Sequence, residues 1–349
     1  MRATTALVAL LALTSCSGSK DPTDTGVADA DTDTDTDADS DTDADTDTDT
    51  DTTTFVVPTP VGDPATIPLG GECPLETKFG TFSAKVYEDY STVDGSVADG
   101  VIPISILEEV GTGDSCTLLR RNNAFCDPPC GAGLTCDFDG QCIPYPENQD
   151  LGVVTFGGLA QDLVLRPVQP GNLYFTRDPL PHPLFAAGDL IEVRTWDTTF
   201  GQDITLHGVG VEPLSLGSDT DWVLYRNQDH VFTWTPSAAS LQARVHLRMN
   251  IDQHGNTPVA IYCEFDDDGS ATIPADLVTQ LIDYGVTGFP NATVTRRTVD
   301  STDMGGGCVQ LEVASPVNPN VLVDGFIPCD EPSDCPNGQT CNYAIQLCE

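Results

Sequence analysis

Two short stretches of this chain cannot fold by burying side chains, and that constrains everything around them. Residues 126–142 carry Cys126, Cys130, Cys136 and Cys142, with Gly131, Gly133 and Gly140 between them. Near the C-terminus Cys329, Cys335, Cys341 and Cys348 repeat the design, and both copies place a Gly ahead of a Thr-Cys pair (Gly133-Leu134-Thr135-Cys136; Gly338-Gln339-Thr340-Cys341). Segments this poor in apolar side chains are held by covalent bonds. A long β-rich stretch separates the two knots, so each is expected to close on itself. Neighbour pairing inside a knot would leave two unlinked loops. Interleaved pairing makes one compact unit: Cys126–Cys136 with Cys130–Cys142, and Cys329–Cys341 with Cys335–Cys348. Four cysteines remain, and proximity along the chain suggests Cys73–Cys116 and Cys263–Cys308. Both intervals contain an Ile-Pro step (Ile102-Pro103, Ile273-Pro274), as a faint internal duplication would.

The thirteenth cysteine is Cys16, and it stands in a different setting. One cation, Arg2, precedes an apolar run from Ala6 to Leu13, which is too short to span a bilayer but suits the h-region of a signal peptide. The tetrad Leu13-Thr14-Ser15-Cys16 resembles the lipobox of bacterial lipoproteins. That resemblance implies cleavage after residue 15, acylation at Cys16 and attachment to membrane lipid. Ser17 in the next position implies the outer membrane of the cell envelope. With Cys16 lipidated, twelve cysteines are left, and an even count in an exported protein reads as six disulfides. The two knots resemble the short Dickkopf-like or EGF-like cysteine-rich modules of extracellular proteins, which implies structural or protein-binding roles.

The chain carries 54 acidic and 14 basic residues, a net charge of -40. About -13 of this falls in residues 20–54, an Asp-Thr repeat, and about -28 in residues 55–349. So strong a polyanion excludes nucleic acid as a partner, because that binding rests on neutralising phosphates. The repeat has almost no apolar side chains to offset backbone ordering, so residues 16–60 read as a disordered, solvated stalk. It would reach on the order of 120 Å if PPII-like, or about 35 Å as a relaxed coil. Its alternating Asp resembles calcium-binding aspartate repeats, but the Gly turns that fold carboxylates round an ion are missing.

The rest reads as mainly β: an antiparallel, disulfide-rich sandwich with the knots attached. A small β region is expected over 61–125, a knot over 126–145, a sandwich domain over 146–325 and the second knot over 326–349. Alternating apolar residues mark strands at Phe79–Tyr87, Gly188–Trp196, Ala243–Met249 and Val259–Phe265. Asp94-Gly95 and Asp99-Gly100 read as turns. Val101–Val110 reads as a strand or as one short helix opened by Pro103. The best helix is Pro274–Tyr284, with Pro in its first turn and Gly285 as its stop. The Thr233-Trp234-Thr235-Pro236 run and the Gly188-Asp189 turn-strand resemble those of Ig-like or fibronectin-like sandwiches.

No stretch supplies a nucleophile, a base and an orienting group together, so a non-enzymatic binding or structural module is expected, with an envelope protein or a glycan as partner and no cofactor. The alternative enzyme is an exported hydrolase. Gly113-Asp114-Ser115 resembles the opening block of GDS-type esterases, with Ser115 as nucleophile and His254 as base, although Asp252-Gln253-His254 is one residue short of that family's second motif. The other histidines (His182, His207, His230, His246) are scattered and show no metal-ligand spacing. A calcium-dependent adhesion module is the third reading: Glu264, Asp266 and Asp268 mimic the start of an EF-hand loop, but its twelfth position is Ala275. Trp196, Trp222 and Trp234 read as core rather than as a carbohydrate strip.

Overall fold

The computed structural model describes residues 55–196, 203–217, 221–251, 259–336 and 338–349. The signal segment, Cys16, the Asp/Thr tract and His254 lie outside the described residues.

Strands β1 (Lys78–Val86) and β2 (Ser91–Val97) make a hairpin. A 3-10 turn at Pro103–Ser105 leads into a second hairpin, β3 (Leu107–Gly113) and β4 (Cys116–Arg121). The first knot holds β5 (Leu134–Cys136) and β6 (Cys142–Pro144). There follow β7 (Val153–Gly157), β8 (Leu163–Leu165), β9 (Tyr174–Phe175), β10 (Leu190–Trp196) and β11 (Thr205–Val209). Next come β12 (Asp221–Leu224), β13 (His230–Thr233), β14 (Arg244–Asn250), β15 (Val259–Asp266) and β16 (Ser270–Ile273). Helix α1 (Ala275–Asp283) precedes β17 (Asn291–Asp303), β18 (Cys308–Val317) and β19 (Asn320–Val323). The second knot closes the chain with β20 (Cys341–Asn342) and β21 (Leu347–Cys348).

One large sheet runs β3-β4-β15-β14-β17-β18-β1-β2-β9, with β19 pairing β17 and β12. A second sheet, β11-β10-β7-β8, lies across one half of it. Between them Phe82, Val93, Leu311 and Val313 meet Phe156, Ile191, Val193 and Leu206, all buried. The other half of the large sheet is covered by α1 and by the β13–β16 ribbon, over Leu118, Leu247, Ile261, Leu277 and Leu281. The helix forms where Pro274 can start it, and its Leu277, Val278, Leu281 and Ile282 recur at the spacing of one face.

The thirteen-residue β17 serves both cores. Its first half places Ala292 and Val294 in the helix-covered core. Its second half is polar yet buried, because those side chains stitch neighbouring segments to the sheet. Thr298 Oγ1 accepts from Val209 N at 3.0 Å and donates to Val209 O at 2.9 Å. The Asp300 carboxylate accepts from His207 N and Gly70 N, each at 2.7 Å. The edge of the second sheet and the chain entering β1 are thereby fixed to one strand.

The expected pairs Cys73–Cys116 and Cys263–Cys308 do not form. Cys73 is bonded to Cys308, and Cys116 to Cys263, across separations of 235 and 147 residues. The cause is topological. β4 and β15 are neighbours with Cys116 opposite Cys263, and β1 runs parallel to β18, so the segment before β1 reaches the start of β18. These bonds also remove the expected boundary between 61–125 and 146–325: both stretches contribute strands to one sheet, and residues 54–349 form one compact unit. The sheet is antiparallel except for two parallel pairs, β1/β18 and β12/β19. Both knots close on themselves, with Cys126–Cys136, Cys130–Cys142, Cys329–Cys341 and Cys335–Cys348.

Asp94-Gly95, read above as a turn, lies inside β2. A Cβ on Gly95 would stand 2.3 Å from the Phe82 ring, so glycine here serves close packing rather than chain reversal. The Asp94 carboxylate accepts a 2.7 Å hydrogen bond from the Ser83 hydroxyl across the same hairpin. Val101–Val110 divides into the 3-10 turn and the start of β3, the turn beginning at Pro103.

Candidate functional site

The outer face of β3, β4, β15, β14 and β17 forms the floor of a groove of about 1310 Å³. Its walls are the incoming segment around Glu72 and the 3-10 turn with Ile104 and Ser105. Alternation along the strands explains the lining. On β14 the residues Val245, Leu247 and Met249 face the helix-covered core, which leaves Arg244, His246 and Arg248 on the opposite face. On β15 the same alternation turns Tyr262, Glu264 and Asp266 outward, and register sets Tyr262 opposite Arg248 and Glu264 opposite His246.

A buried cation anchors the deep end. Arg297 Nη2 bonds Glu72 at 2.9 Å and Glu264 at 3.0 Å, and Nη1 lies 3.6 Å from Glu312. Burial works against its charge, but Glu72, Glu264 and Glu312 outweigh burial and hold the guanidinium above its ordinary range. Burial likewise opposes ionisation of Glu72, and the charge of Arg297 overcomes it, so that carboxyl titrates below its usual range. Toward the open end Tyr262 is fixed by its hydroxyl, which accepts from Arg248 Nε at 3.2 Å. Arg244 bridges outward, to Glu264 at 3.8 Å and to Asp266.

This geometry relocates the sequence candidates. Ser115 lines the groove, and its carbonyl accepts from Glu264 N at 3.0 Å. Among the described residues its hydroxyl makes no hydrogen bond to an imidazole or a carboxylate, and His254 lies outside them. Of the calcium candidates, Glu264 and Asp266 are engaged by Arg297 and Arg244, and Asp268 Oδ1 accepts from Ser270 N at 3.4 Å. The intervening Asp267 is buried under Arg296 and Trp234. Trp222 and Trp234 are buried in the helix-covered core, and Trp196 lies under the Arg194 guanidinium at 4.2 Å. His182 accepts or donates to Ser91 Oγ at 3.1 Å, and His207 Nε2 lies 3.4 Å from Glu192. The groove itself escaped the sequence reading, because its residues come from five strands. Only the alternating Arg244-x-His246-x-Arg248 face carried a signal for it.

Burial pulls His230 down to about 4, and burial assisted by Arg297 does the same to His246. Both histidines are therefore neutral in the folded chain at pH 7. The folded values lie below the ordinary 6.5, so the unfolded chain binds protons first as pH falls. Stability is full above pH 6.5 and is lost progressively down to pH 4, by at most about 3 kcal/mol per histidine. The expected result is a melting midpoint that drops between pH 7 and 4, and drops less in His230→Phe. An equal drop in both would contradict the assignment.

No family model matches this chain, and no curated protein matches it. Among solved structures, the crystal structure of chicken CNTN1 FN1-FN3 domains matches at 10% identity over 67% of this chain and 68% of that chain. Its TM-score is 0.17.

Proposed function

We propose that this chain is a lipid-anchored protein of the cell envelope, held in the outer membrane through Cys16. It displays its disulfide-stapled β body on the acidic stalk as a non-enzymatic binding module. One observation carries the reading: the twelve cysteines of the described residues are all consumed in six disulfides. That complement belongs to an oxidising compartment. It also leaves the thirteenth cysteine, at the end of Leu13-Thr14-Ser15-Cys16, without a partner in the body. The groove on the large sheet is the surface the body offers to a ligand.

The test is Cys16→Ala. Two or three acyl chains bind stably at about 0.8 kcal/mol per buried CH₂, while a chain without them has no equivalent hold. The variant is expected in the soluble fraction, with its body folded. Recovery of the variant with the membrane pellet after a high-salt wash would contradict the anchor.

A further inference from the structure

Resting on that reading of the body as a binding module, we infer that the groove binds a neutral oligosaccharide, with Tyr262 as the platform for a sugar ring. Volume comes first. Pockets for drug-sized ligands run to about 300–1,000 Å³, and this groove, at about 1310 Å³, has room for a longer occupant. Charge comes second. The lining holds three Glu and three Arg, with His246 neutral, inside a body of about -28. A locally balanced site on a strongly anionic protein has no net charge with which to select an ionic ligand.

Donor and acceptor pattern is the third point. A sugar hydroxyl donates and accepts at once. The groove sets partners of both kinds side by side: Arg244 lies 3.8 Å from Glu264, and Gln242, whose amide nitrogen is spent on Pro64 O and Ile67 O, offers its Oε1 as an acceptor. Among its lining residues Tyr262 is the phenol ring; its hydroxyl accepts from Arg248, whose guanidinium carbon lies 6.0 Å from the ring centroid, and the His246 ring lies 6.2 Å away. An extended peptide is the poorer fit. β4, β15, β14 and β17 are inner strands whose backbone groups are spent in the ladders, so a strand could add only at β3, the edge of the floor, and not over the Arg244–Glu264–Tyr262 part of it.

The probes are chitotetraose, cellotetraose and maltotetraose, titrated calorimetrically into the full-length chain in detergent. Saturable binding of at least one is expected, weakened tenfold or more in Tyr262→Ala and in Glu264→Gln, and within threefold of the parent in Tyr262→Phe. Melting midpoints measured in parallel separate lost binding from lost folding, and Tyr262→Phe and Glu264→Gln are near-isosteric. Absence of saturable binding to all three sugars would overturn the inference, and so would binding that Tyr262→Ala and Glu264→Gln both leave unchanged. A protein partner whose binding depends on Tyr262 while the sugars do not bind would overturn it too. Fractionation of Cys16→Ala is independent of every one of these outcomes, so a chain can fail here and remain anchored.

Discussion

The double substitution Cys73→Ser with Cys308→Ser is expected to lower the unfolding free energy by about 5 kcal/mol. The bond joins residues 235 apart, and in the chain-entropy model the constraint on the unfolded chain grows with loop length. The Cys116–Cys263 bond shortens the effective loop only by bypassing its middle, which changes the figure little because the dependence is logarithmic. The knot bonds, spanning 10 to 13 residues, are each worth about 3 kcal/mol on the same scale. Losing Cys73–Cys308 also loosens the groove wall. The incoming segment would then be held only by non-covalent contacts, among them Gly70 N to Asp300, Gly71 N to Val299 O, Cys73 N to Gln310 and the Glu72–Arg297 ion pair. Urea unfolding at neutral pH measures the effect. A midpoint indistinguishable from the parent would show that the long bond does little for this fold.

Arg296→Met is expected to cost about 3–5 kcal/mol, the range for breaking one side of a buried ion pair. Arg296 is 1% exposed, and its Nε and Nη2 bond both oxygens of Asp267 at 2.8 and 3.0 Å. Its remaining donors reach the carbonyls of Glu212, Pro213 and Thr235. Trp234 Nε1 adds a 2.6 Å bond to the same carboxylate. Removing the cation strands a buried charge and three carbonyls together. The double variant Arg296→Met with Asp267→Leu should recover part of the loss, because an apolar pair leaves no charge behind. A double variant no more stable than Arg296→Met alone would contradict this account of the pair.

How much of this was legible in the sequence follows from the range over which each signal acts. Helix α1 could be read because Pro274, four apolar residues and Gly285 are contiguous. Strands β10, β14 and β15 could be read because alternation is local too. The knots could be read because their cysteines lie within about twenty residues of one another. The two long disulfides could not, since nothing near Cys73 or Cys116 encodes that β1 lies parallel to β18 or that β4 lies beside β15. Gly95 misled for a related reason: Asp-Gly is turn chemistry, and the ring of Phe82 that requires a glycine is brought in by hairpin pairing. Arg296 and Arg297 are neighbours in sequence with opposite surroundings. One is sealed between the cores and the other faces the groove, which strand alternation allows but does not assign. The groove needed five strands in register, and that is a property of the sheet rather than of any segment.

The most direct test of the account is the mass of the mature N-terminus, taken from protein extracted from membranes and digested without reduction. The expected N-terminal peptide begins at Cys16 and carries the mass of a diacylglyceryl group and an amide-linked acyl chain. An N-terminal peptide beginning anywhere else, or one in which Cys16 is a free thiol, would contradict it.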